Sequence, residues 1–426
     1  MSRKKKNKKR NKKILIVIVI ILVLSITLVC YKINKDRLTE LRQNNLKQDI
    51  ISHYNEFVAT NKFAAIYQLT NKKYIKAGTI GKGIELTLEQ KDITHNDEYL
   101  KITNLNEEYY IHYKDLDVVE ELTNYDNRYK KYIPFNKNIV TNDTTNFYDE
   151  ENNLLYTLPQ SFNLPIIINK ADTYGVEFNN RLLYVKKEDV FEIKENKNTE
   201  LTNTKGIAVL NYHFFFDTSI DGDAEKCNQV ICLSTTNLKK HLDYIKNNNI
   251  FTPNMEELEM YIDGQIQLPK SVVLTIDDGW RAGVGSNVIA EYELNATIFL
   301  MSKYYDPNKY LNDFIEVHSH GYDLHNPGVC PGGQGGAIKC LEKSKLLEDL
   351  KASQDKLNGT TVFCYPFYEY NNYSIEVLKE AGFTMAFGGY GENGYYKVKP
   401  GINRYKLPRY VIYNNTTVSQ LKNYIG

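Results

Sequence analysis

The run from Ser271 to Gly279 reads SVVLTIDDG, an apolar segment that passes directly into two adjacent carboxylates and a glycine. Its length and its β-branched residues predict a strand that is buried on both faces, as in a parallel sheet. Two like charges a few ångströms apart resist joint ionisation, so a metal bound to one carboxylate would leave the other free as a base. An Asp-Gly turn that caps a helix is the alternative.

Strands alternate with helices from residue 205 to residue 426. Repeated βα units form a mostly parallel sheet or barrel, whose functional residues gather at the carboxyl ends of the strands. The sequence therefore predicts an α/β domain with Asp277 and Asp278 at its active end. The predicted strands are 206–212, 271–276, 296–300, 361–365, 384–387 and 409–413, and the predicted helices are 235–246, 287–294, 344–357, 374–381 and 418–424.

Three of the eight histidines fall between Glu316 and His325. A lone histidine is usually a core or surface residue, but three so close, together with the two aspartates, favour a metal site. His320 and His325 can share a metal only if the chain turns between them, and Gly321 supplies that freedom. His318 is expected on the same strand, outside the ligand set.

In combination these motifs resemble those of the NodB-type polysaccharide deacetylases (carbohydrate esterase family 4). The resemblance covers about residues 205–426 and implies a deformed (β/α) barrel that removes N-acetyl groups from a β-linked GlcNAc polymer. It implies that Asp278, His320 and His325 hold a divalent metal, with Zn²⁺ first and Co²⁺ or Ni²⁺ as alternatives. The motifs that carry it are Thr275-Ile276-Asp277-Asp278-Gly279, Ser319-His320 with His325, and Tyr365-Pro366-Phe367.

The resemblance also implies roles for two further groups. Asp277 would be the general base that takes a proton from the attacking water. The backbone N–H of Phe367 would stabilise the tetrahedral oxyanion. The metal would polarise the acetamide carbonyl and lower the pKa of a bound water. Such an enzyme is a hydrolase of linear amide C–N bonds.

Three features depart from the family pattern. The histidine pair is five apart rather than four, which looks more like the poly-β-1,6-GlcNAc deacetylases. The arginine expected shortly before Pro366 is absent, because Phe-Cys-Tyr occupies 363–365. No histidine follows His325, so the carboxyl-terminal general acid of the family is missing. In the poly-GlcNAc branch this acid comes from the start of the domain, where His213 fits; a histidine packed in a strand–loop corner is the alternative.

The amino terminus predicts a membrane anchor. Residues 1–13 form a basic tail with nine Lys and Arg and no acid, and residues 14–31 carry no charge and are almost all Ile, Leu and Val. This arrangement is typical of a single spanning helix with a cytoplasmic amino terminus and an extracellular remainder. Without the tail, the net charge falls from +1 to −8, so a basic nucleic-acid-binding body is excluded.

Between anchor and barrel we expect a helical stalk over 35–69 and two small β modules over 70–125 and 128–196. In both modules short β-prone runs alternate with Asn, Asp and Gly turns. The two stretches end in similar segments and loosely resemble bacterial SH3-like wall modules. Spacers without a ligand are the alternative.

Four of the six cysteines fall in loops of the predicted barrel. Their spacing does not fit a zinc ribbon, and disulfides can form outside the cell. We predict one or two disulfides that hold loops over the substrate groove, with the pairing left open, and we expect Cys364 to be buried and free. The four loop cysteines are Cys227, Cys232, Cys330 and Cys340.

The sequence as a whole predicts a membrane-anchored extracellular N-deacetylase of a cell-surface aminoglycan. Peptidoglycan is the first expected substrate, because a membrane anchor and wall-type modules would place the enzyme at the cell wall. The histidine spacing favours poly-β-1,6-GlcNAc as an alternative. The alternative from a different functional class is a non-catalytic glycan-binding wall protein. No nucleic acid is expected to bind, and no protein partner is indicated.

Overall fold

The computed structural model describes residues 2–52, 57–88, 98–102, 107–119, 123, 127–196, 205–389 and 396–426, with side chains from residue 19 onward except at 51 and 57. The chain forms two compact units. The first comprises Met1–Tyr125, Val140–Phe162 and Glu177–Phe191, and the second comprises Asp126–Ile139, Asn163–Val176 and Glu192–Gly426.

The first unit begins with a long helix, α1 (Ser2–Ser52). Among the residues described with side chains, no helix is long and apolar enough to cross a membrane. The predicted anchor over 14–31 is therefore not confirmed, and its part from 14 to 18 lies outside the described side chains.

The predicted helical stalk over 35–69 is wrong in its second part. Helix α1 ends at Ser52, and strands already occupy Phe57–Thr60 and Ala64–Thr70. In the second of these strands, buried Ala64 and Ile66 alternate with a more exposed residue. This period of two belongs to a half-buried strand, not to a helix.

Strands of the two predicted β modules share one antiparallel sheet in the first unit. Its order is β14-β9-β10-β3-β2-β6-β5, and Tyr156 of β10 lies opposite Ile80 of β3. Both side chains are fully buried, so the two stretches build one core, and separate SH3-like modules are not confirmed. The strands between residues 57 and 195, in this sheet and in others, are β1 (Phe57–Thr60), β2 (Ala64–Thr70), β3 (Lys73–Ile80), β4 (Glu85–Thr87), β5 (Tyr99–Ile102), β6 (Tyr109–His112), β7 (Leu116–Val118), β8 (Lys137–Thr141), β9 (Thr145–Tyr148), β10 (Leu154–Leu158), β11 (Asn163–Pro165), β12 (Ile168–Asn169), β13 (Thr173–Phe178), β14 (Arg181–Lys186) and β15 (Val190–Glu195).

The second unit alternates strands and helices from residue 207 to residue 425. Its central strands are buried on both faces, as in β16 and β19, which explains their continuous apolar sequences. The elements are β16 (Ile207–Tyr212), β17 (Phe214–Phe216), β18 (Cys232–Ser234), α2 (Thr235–Asn247), α3 (Met255–Ile262), β19 (Val272–Ile276), α4 (Ala282–Glu291), β20 (Ala296–Leu300), β21 (Ile315–Ser319), α5 (Lys343–Lys356), β22 (Val362–Cys364), α6 (Asn372–Glu380), β23 (Met385–Phe387), β24 (Lys397–Val398), β25 (Tyr410–Val411) and α7 (Val418–Ile425).

The parallel strands of this unit close into a barrel. They run in the order β23-β22-β21-β20-β19-β16. On the side of β16 away from β19, β24 pairs antiparallel with the first residues of β16 and β25 pairs in parallel further along. The segment just before β25 also pairs with β23, because the N–H of Gly388 donates to the carbonyl of Leu407 at 2.9 Å. One segment thus joins both ends of the sheet. This confirms the predicted deformed (β/α) barrel in the carboxyl-terminal domain.

Candidate active site

The two adjacent aspartates lie where β19 ends, at the carboxyl ends of the barrel strands. Asp278 has a φ of 73°, in the left-handed region that a side chain other than glycine rarely adopts. Gly279 follows with a φ of 101°, and a Cβ there would lie 2.6 Å from Leu300 Cδ1. This sharp turn directs the neighbouring carboxylates of Asp277 and Asp278 to different partners.

Asp278 lies beside the two histidines that are predicted to bind a metal. Its Oδ1 atom lies 3.2 Å from Nε2 of His320 and 3.2 Å from Nε2 of His325. Burial acts to raise the pKa of Asp278, but hydrogen bonds from both histidines outweigh it and hold the pKa well below its usual range. The chain turns between the histidines at Gly321, whose φ of 84° confirms the expected use of a glycine there.

The donor set of Asp278, His320 and His325 fits a divalent metal. One ligand atom from each lies within 4.8 Å of the others. The Nδ1 atom of His320 donates to the carbonyl of Cys364 at 2.9 Å. A carbonyl can only accept, so Nδ1 carries a proton. A bound metal would therefore take Nε2, in place of the hydrogen bond that Nε2 otherwise makes to Asp278. One carboxylate and two imidazoles with space for water form the usual environment of a catalytic zinc-type ion.

Asp277 lies beside the metal set and is bound to a buried arginine. Nη1 and Nη2 of Arg409 donate to its two carboxylate oxygens at 2.7 and 2.9 Å. Asn211 adds a third hydrogen bond, from Nδ2 to Oδ2 at 3.2 Å. Burial acts to raise the pKa of Asp277, but the charge of Arg409 outweighs it, so the pKa is lowered and the carboxylate stays ionised.

Arg409 supplies the guanidinium that the sequence lacks before Pro366. It reaches Asp277 from the position directly before β25 and is fully buried. Its Nη2 atom also lies 3.0 Å from Sγ of Cys364, a free and buried cysteine as predicted. Sequence reasoning missed Arg409. The available signal was an arginine directly after Pro408, at the start of a predicted buried strand.

His213, the predicted general acid, lies beside Asp277. Its Nε2 atom is 3.9 Å from Oδ2 of Asp277 and 3.2 Å from the hydroxyl of Tyr368. The Nδ1 atom is buried and has no hydrogen-bond partner among the described residues. Burial lowers the pKa of His213, while the charge of Asp277 opposes this shift.

Tyr368 is a second residue that sequence reasoning missed. Its hydroxyl accepts a hydrogen bond from Nδ2 of Asn211 at 2.9 Å, and Asn211 also binds Asp277. Tyr368 therefore connects the predicted acid His213 to the predicted base through one amide. Burial raises its pKa, so the phenol remains protonated.

Phe367 and His318 take different positions relative to the metal set. The ring of Phe367 lies 4.2 Å from the ring of His325, and its backbone has a φ of 57°. The role of its N–H as an oxyanion donor stays a prediction. His318 instead contacts Oγ1 of Thr360 at 2.7 Å and Glu316 at 3.4 Å, so it lies outside the ligand set as expected.

Both predicted loop tethers are present. Cys227 is bonded to Cys232, and Cys330 is bonded to Cys340. The second loop is also fixed by Glu369, which directly follows Tyr368. Its carboxylate accepts from the backbone N–H groups of Gln334 at 2.6 Å and Gly336 at 2.7 Å, and Lys339 lies 2.9 Å away. Four separate contacts thus hold this glycine-rich loop in place.

A closed α/β barrel with an ionised, buried aspartate beside an Asp-His-His set defines a metal-dependent hydrolase. Residues 265–386 match the family model of polysaccharide deacetylases. The chain therefore contains a polysaccharide deacetylase domain, and it is a hydrolase that acts on amide bonds, in a family where metal dependence is general.

Solved structures with similar folds include several deacetylases. A de-N-acetylase from Aggregatibacter actinomycetemcomitans is 21% identical over 51% of this chain and 99% of that chain, with a TM-score of 0.43. The deacetylase PplD from Streptococcus pyogenes, solved with acetate, is 16% identical over 52% and 98%, with a TM-score of 0.42. IcaB from Ammonifex degensii is 19% identical over 53% and 98%, with a TM-score of 0.43. No curated protein matches the chain.

Proposed function

We propose that the barrel removes acetyl groups from GlcNAc residues of an extracellular polysaccharide. The observation that carries this proposal is the divergence of two neighbouring carboxylates. Asp278 faces two histidines, whereas Asp277 is bound to Arg409. A binding protein has no need for an ionised carboxylate held next to a metal set, but amide hydrolysis needs both a metal and a base.

Each residue has a distinct role in this proposal. Asp278, His320 and His325 would hold the metal, which when bound supplies a Lewis acid and an acidified water. Asp277 is the base that accepts the proton of the water, and Arg409 keeps it ionised until that step. The leaving amine must gain a proton, and His213 is the nearest described imidazole to Asp277 outside the metal set. Burial lowers the pKa of His213, so its protonated form gives up a proton readily, while the charge of Asp277 opposes this shift.

The position of His213 supports a choice between the two candidate polymers. The resemblance to the poly-β-1,6-GlcNAc deacetylases implies an acid from the start of the domain, and His213 follows the first barrel strand within 3.9 Å of the base. We therefore propose poly-β-1,6-GlcNAc as the first polymer to test and peptidoglycan as the second.

The proposed location of the barrel is outside the cytoplasm. The two disulfides, Cys227–Cys232 and Cys330–Cys340, support this location, because cytoplasmic thiols are kept reduced.

Acetate release by the full chain tests the proposal. Zn²⁺ or Co²⁺ would be added, and oligomers of poly-β-1,6-GlcNAc and of peptidoglycan would be offered in parallel, with Asp277→Asn as the inactive control. Release from the first polymer alone is the expected result. Release from peptidoglycan alone would support the proposed reaction but with peptidoglycan as the substrate. Binding of metal and glycan without release would identify a glycan-binding protein instead.

A further inference from the structure

The two histidines of the Asp-His-His set are held in the fold by different means. His320 directly follows β21, where its N–H donates to the carbonyl of Leu300 at 3.0 Å and its Nδ1 atom donates to the carbonyl of Cys364 at 2.9 Å. His325 comes only after four further residues. The position of His325 therefore depends on how the chain turns over residues 321–324.

A carboxylate of α5 binds this turn at its centre. The Oδ1 atom of Asp349 accepts a hydrogen bond from the backbone N–H of Tyr322 at 2.8 Å, and its Oδ2 atom accepts one from the N–H of Asp323 at 2.7 Å. Hydrogen bonds to a carboxylate are among the stronger ones in proteins, and two from one side chain fix orientation as well as distance. Because Asp349 lies in the middle of α5, a helix holds the turn in place.

Two further contacts connect the same helix with the turn. Ser353 follows Asp349 by four residues, so both side chains lie on one face of α5. The hydroxyl of Ser353 is 2.7 Å from that of Ser319, which accepts a hydrogen bond from the N–H of Gly321 at 3.0 Å. Leu324 is buried in one apolar cluster with leucines of α5. The helix thus acts on the start, the centre and the end of the turn.

Other contacts of the turn come from outside α5 and are more exposed. The carboxylate of Asp323 pairs with Lys303 and accepts a hydrogen bond from the hydroxyl of Tyr304 at 2.6 Å. The side chains of Asp323 and Lys303 are 32% and 42% exposed, and ion pairs with this exposure contribute little. The contacts from α5 are therefore expected to decide the shape of the turn.

This shape matters for metal binding. The Nε2 atoms of His320 and His325 each lie 3.2 Å from the same oxygen of Asp278, so a rotation of the turn would remove His325 from the common point. A ligand set that is already held in place loses less entropy when a metal binds. Groups that orient metal ligands typically contribute tenfold to a hundredfold to metal affinity.

We propose that Asp349 is a positioning residue for the metal set. It holds the turn over 321–324 so that His325 reaches the metal that Asp278 and His320 also bind. The inference rests on the metal set of the proposed function, but it does not depend on the identity of the polymer. A carboxylate of α5 thus sets the affinity for the metal, although both of its oxygens bind backbone N–H groups.

Calorimetric titration of the full chain with Zn²⁺ tests this role. Asp349→Ala removes both acceptors and should weaken Zn²⁺ binding by about tenfold to a hundredfold. Asp349→Asn replaces only one acceptor oxygen with an NH₂ group, so its loss should be smaller, and it decides the test if Asp349→Ala does not fold. Asp355→Asn is the matched control, an exposed carboxylate on the same helix, and should bind Zn²⁺ as the wild type does.

A second measurement separates positioning from a general loss of stability. In a His325→Ala background, Asp349→Ala should cause no further loss of Zn²⁺ affinity, because the ligand that it positions is already gone. The absorption spectrum of the Co²⁺ form should change in Asp349→Asn but not in Asp355→Asn. Unchanged Zn²⁺ affinity in both Asp349 variants, or an equal loss with and without His325, would overturn the inference.

The inference and the proposed function can fail separately, because Zn²⁺ titration needs no turnover. Acetate release by the wild type, together with unchanged Zn²⁺ affinity in both Asp349 variants, would support the function and overturn the inference. Zn²⁺ binding by the wild type without acetate release would contradict the function, while weaker Zn²⁺ binding in the variants would still support the role of Asp349.

Discussion

Arg409 and Asp277 lie 132 residues apart in the chain and form a buried two-point ion pair at the active end of the barrel. Arg409 directly precedes β25 and lies in the segment that joins the two ends of the sheet. The same residue therefore belongs to the closing segment of the fold and to the immediate environment of the proposed base. Breaking such a pair leaves a charge buried without a partner. Loss of the pair is therefore expected to disturb both the closing segment of the barrel and the proposed base.

Replacement of Arg409 by lysine should lower kcat/KM and move its low-pH limb to higher pH. Lysine keeps the charge but cannot hold both oxygens of Asp277 in a planar fork. Arg409 lowers the pKa of Asp277, and the base works only when ionised, so a weaker partner raises the pH at which activity is lost. We expect a loss of kcat/KM of about tenfold or more at neutral pH, measured as a pH profile of acetate release.

Arg404→Lys is the matched control for this variant. Arg404 lies on the same segment and pairs with Glu259 and Asp263, away from the metal set. Its pH profile should follow that of the wild type. An unshifted low-pH limb in Arg409→Lys would show that Arg409 does not set the ionisation of the base.

His213→Gln should reduce kcat by about 10²–10⁴-fold, the usual contribution of a general acid or base. Zn²⁺ binding should remain, because His213 is not one of the three proposed ligands. Tyr368→Phe, which removes only the hydroxyl that contacts His213, should have a smaller effect in the same direction. Single-turnover acetate release and metal titration would be measured together. A loss of less than about tenfold in His213→Gln would rule out its role as the acid.

His320→Ala should weaken Zn²⁺ binding by more than about a hundredfold, since even partners of metal ligands contribute tenfold to a hundredfold. His318→Ala is the matched control, because His318 lies two residues earlier on β21 but contacts Thr360 and Glu316. Calorimetric titration with Zn²⁺ and the absorption spectrum of the Co²⁺ form would report the result. Equal losses in the two variants would show a general effect on β21 rather than removal of a ligand.

The free energy of unfolding should fall as the pH drops below about 6.5, in part through His241. This buried imidazole contacts the carbonyl of Thr416 at 3.0 Å and the hydroxyl of Tyr212 at 3.2 Å. Burial lowers its pKa from 6.5, so between the two pKa values the unfolded chain binds the proton more readily than the folded chain. One such group changes the free energy of unfolding by at most about 1.4 kcal/mol per pH unit. Above the pKa of the unfolded chain it has no effect.

Urea unfolding of the full chain at several pH values measures this slope. His241→Gln keeps hydrogen-bonding capacity without a titrating group, so its stability should depend less steeply on pH between 7.5 and 5. Identical slopes for variant and wild type would mean that His241 keeps its ordinary pKa in the fold.

The sequence was most informative where chemistry and structure are local. The predicted helices 235–246 and 344–357 match α2 and α5 to within one residue, because capping residues mark their first turns. Two adjacent aspartates after an apolar strand and three histidines within ten residues pointed to Asp277, Asp278, His320 and His325, and the family resemblance implied their roles. The structure brings the ligand atoms of Asp278, His320 and His325 together.

Other features depend on contacts that no local pattern records. Arg409 was missed because its partner lies in β19, far away in the chain, and only the fold brings them together. The shared sheet of the first unit was missed for the same reason. The pairing of Tyr156 with Ile80 joins two stretches that, from sequence alone, look like two separate modules. The strands near residue 60 were taken for helix because apolar spacings of three to five also occur in irregular strands.

Closure of the barrel by the segment around Arg409 has a consequence for the order of biosynthesis. The ribosome completes the metal ligands Asp278, His320 and His325 well before it adds Arg409. Until that last strand docks, a growing or truncated chain could hold a metal ion, but its base would lack the counter-charge that keeps it ionised. Acetyl removal should therefore begin only after Arg409 has been added and the barrel has closed. Turnover would then show that the barrel is complete, whereas bound metal alone would not show this.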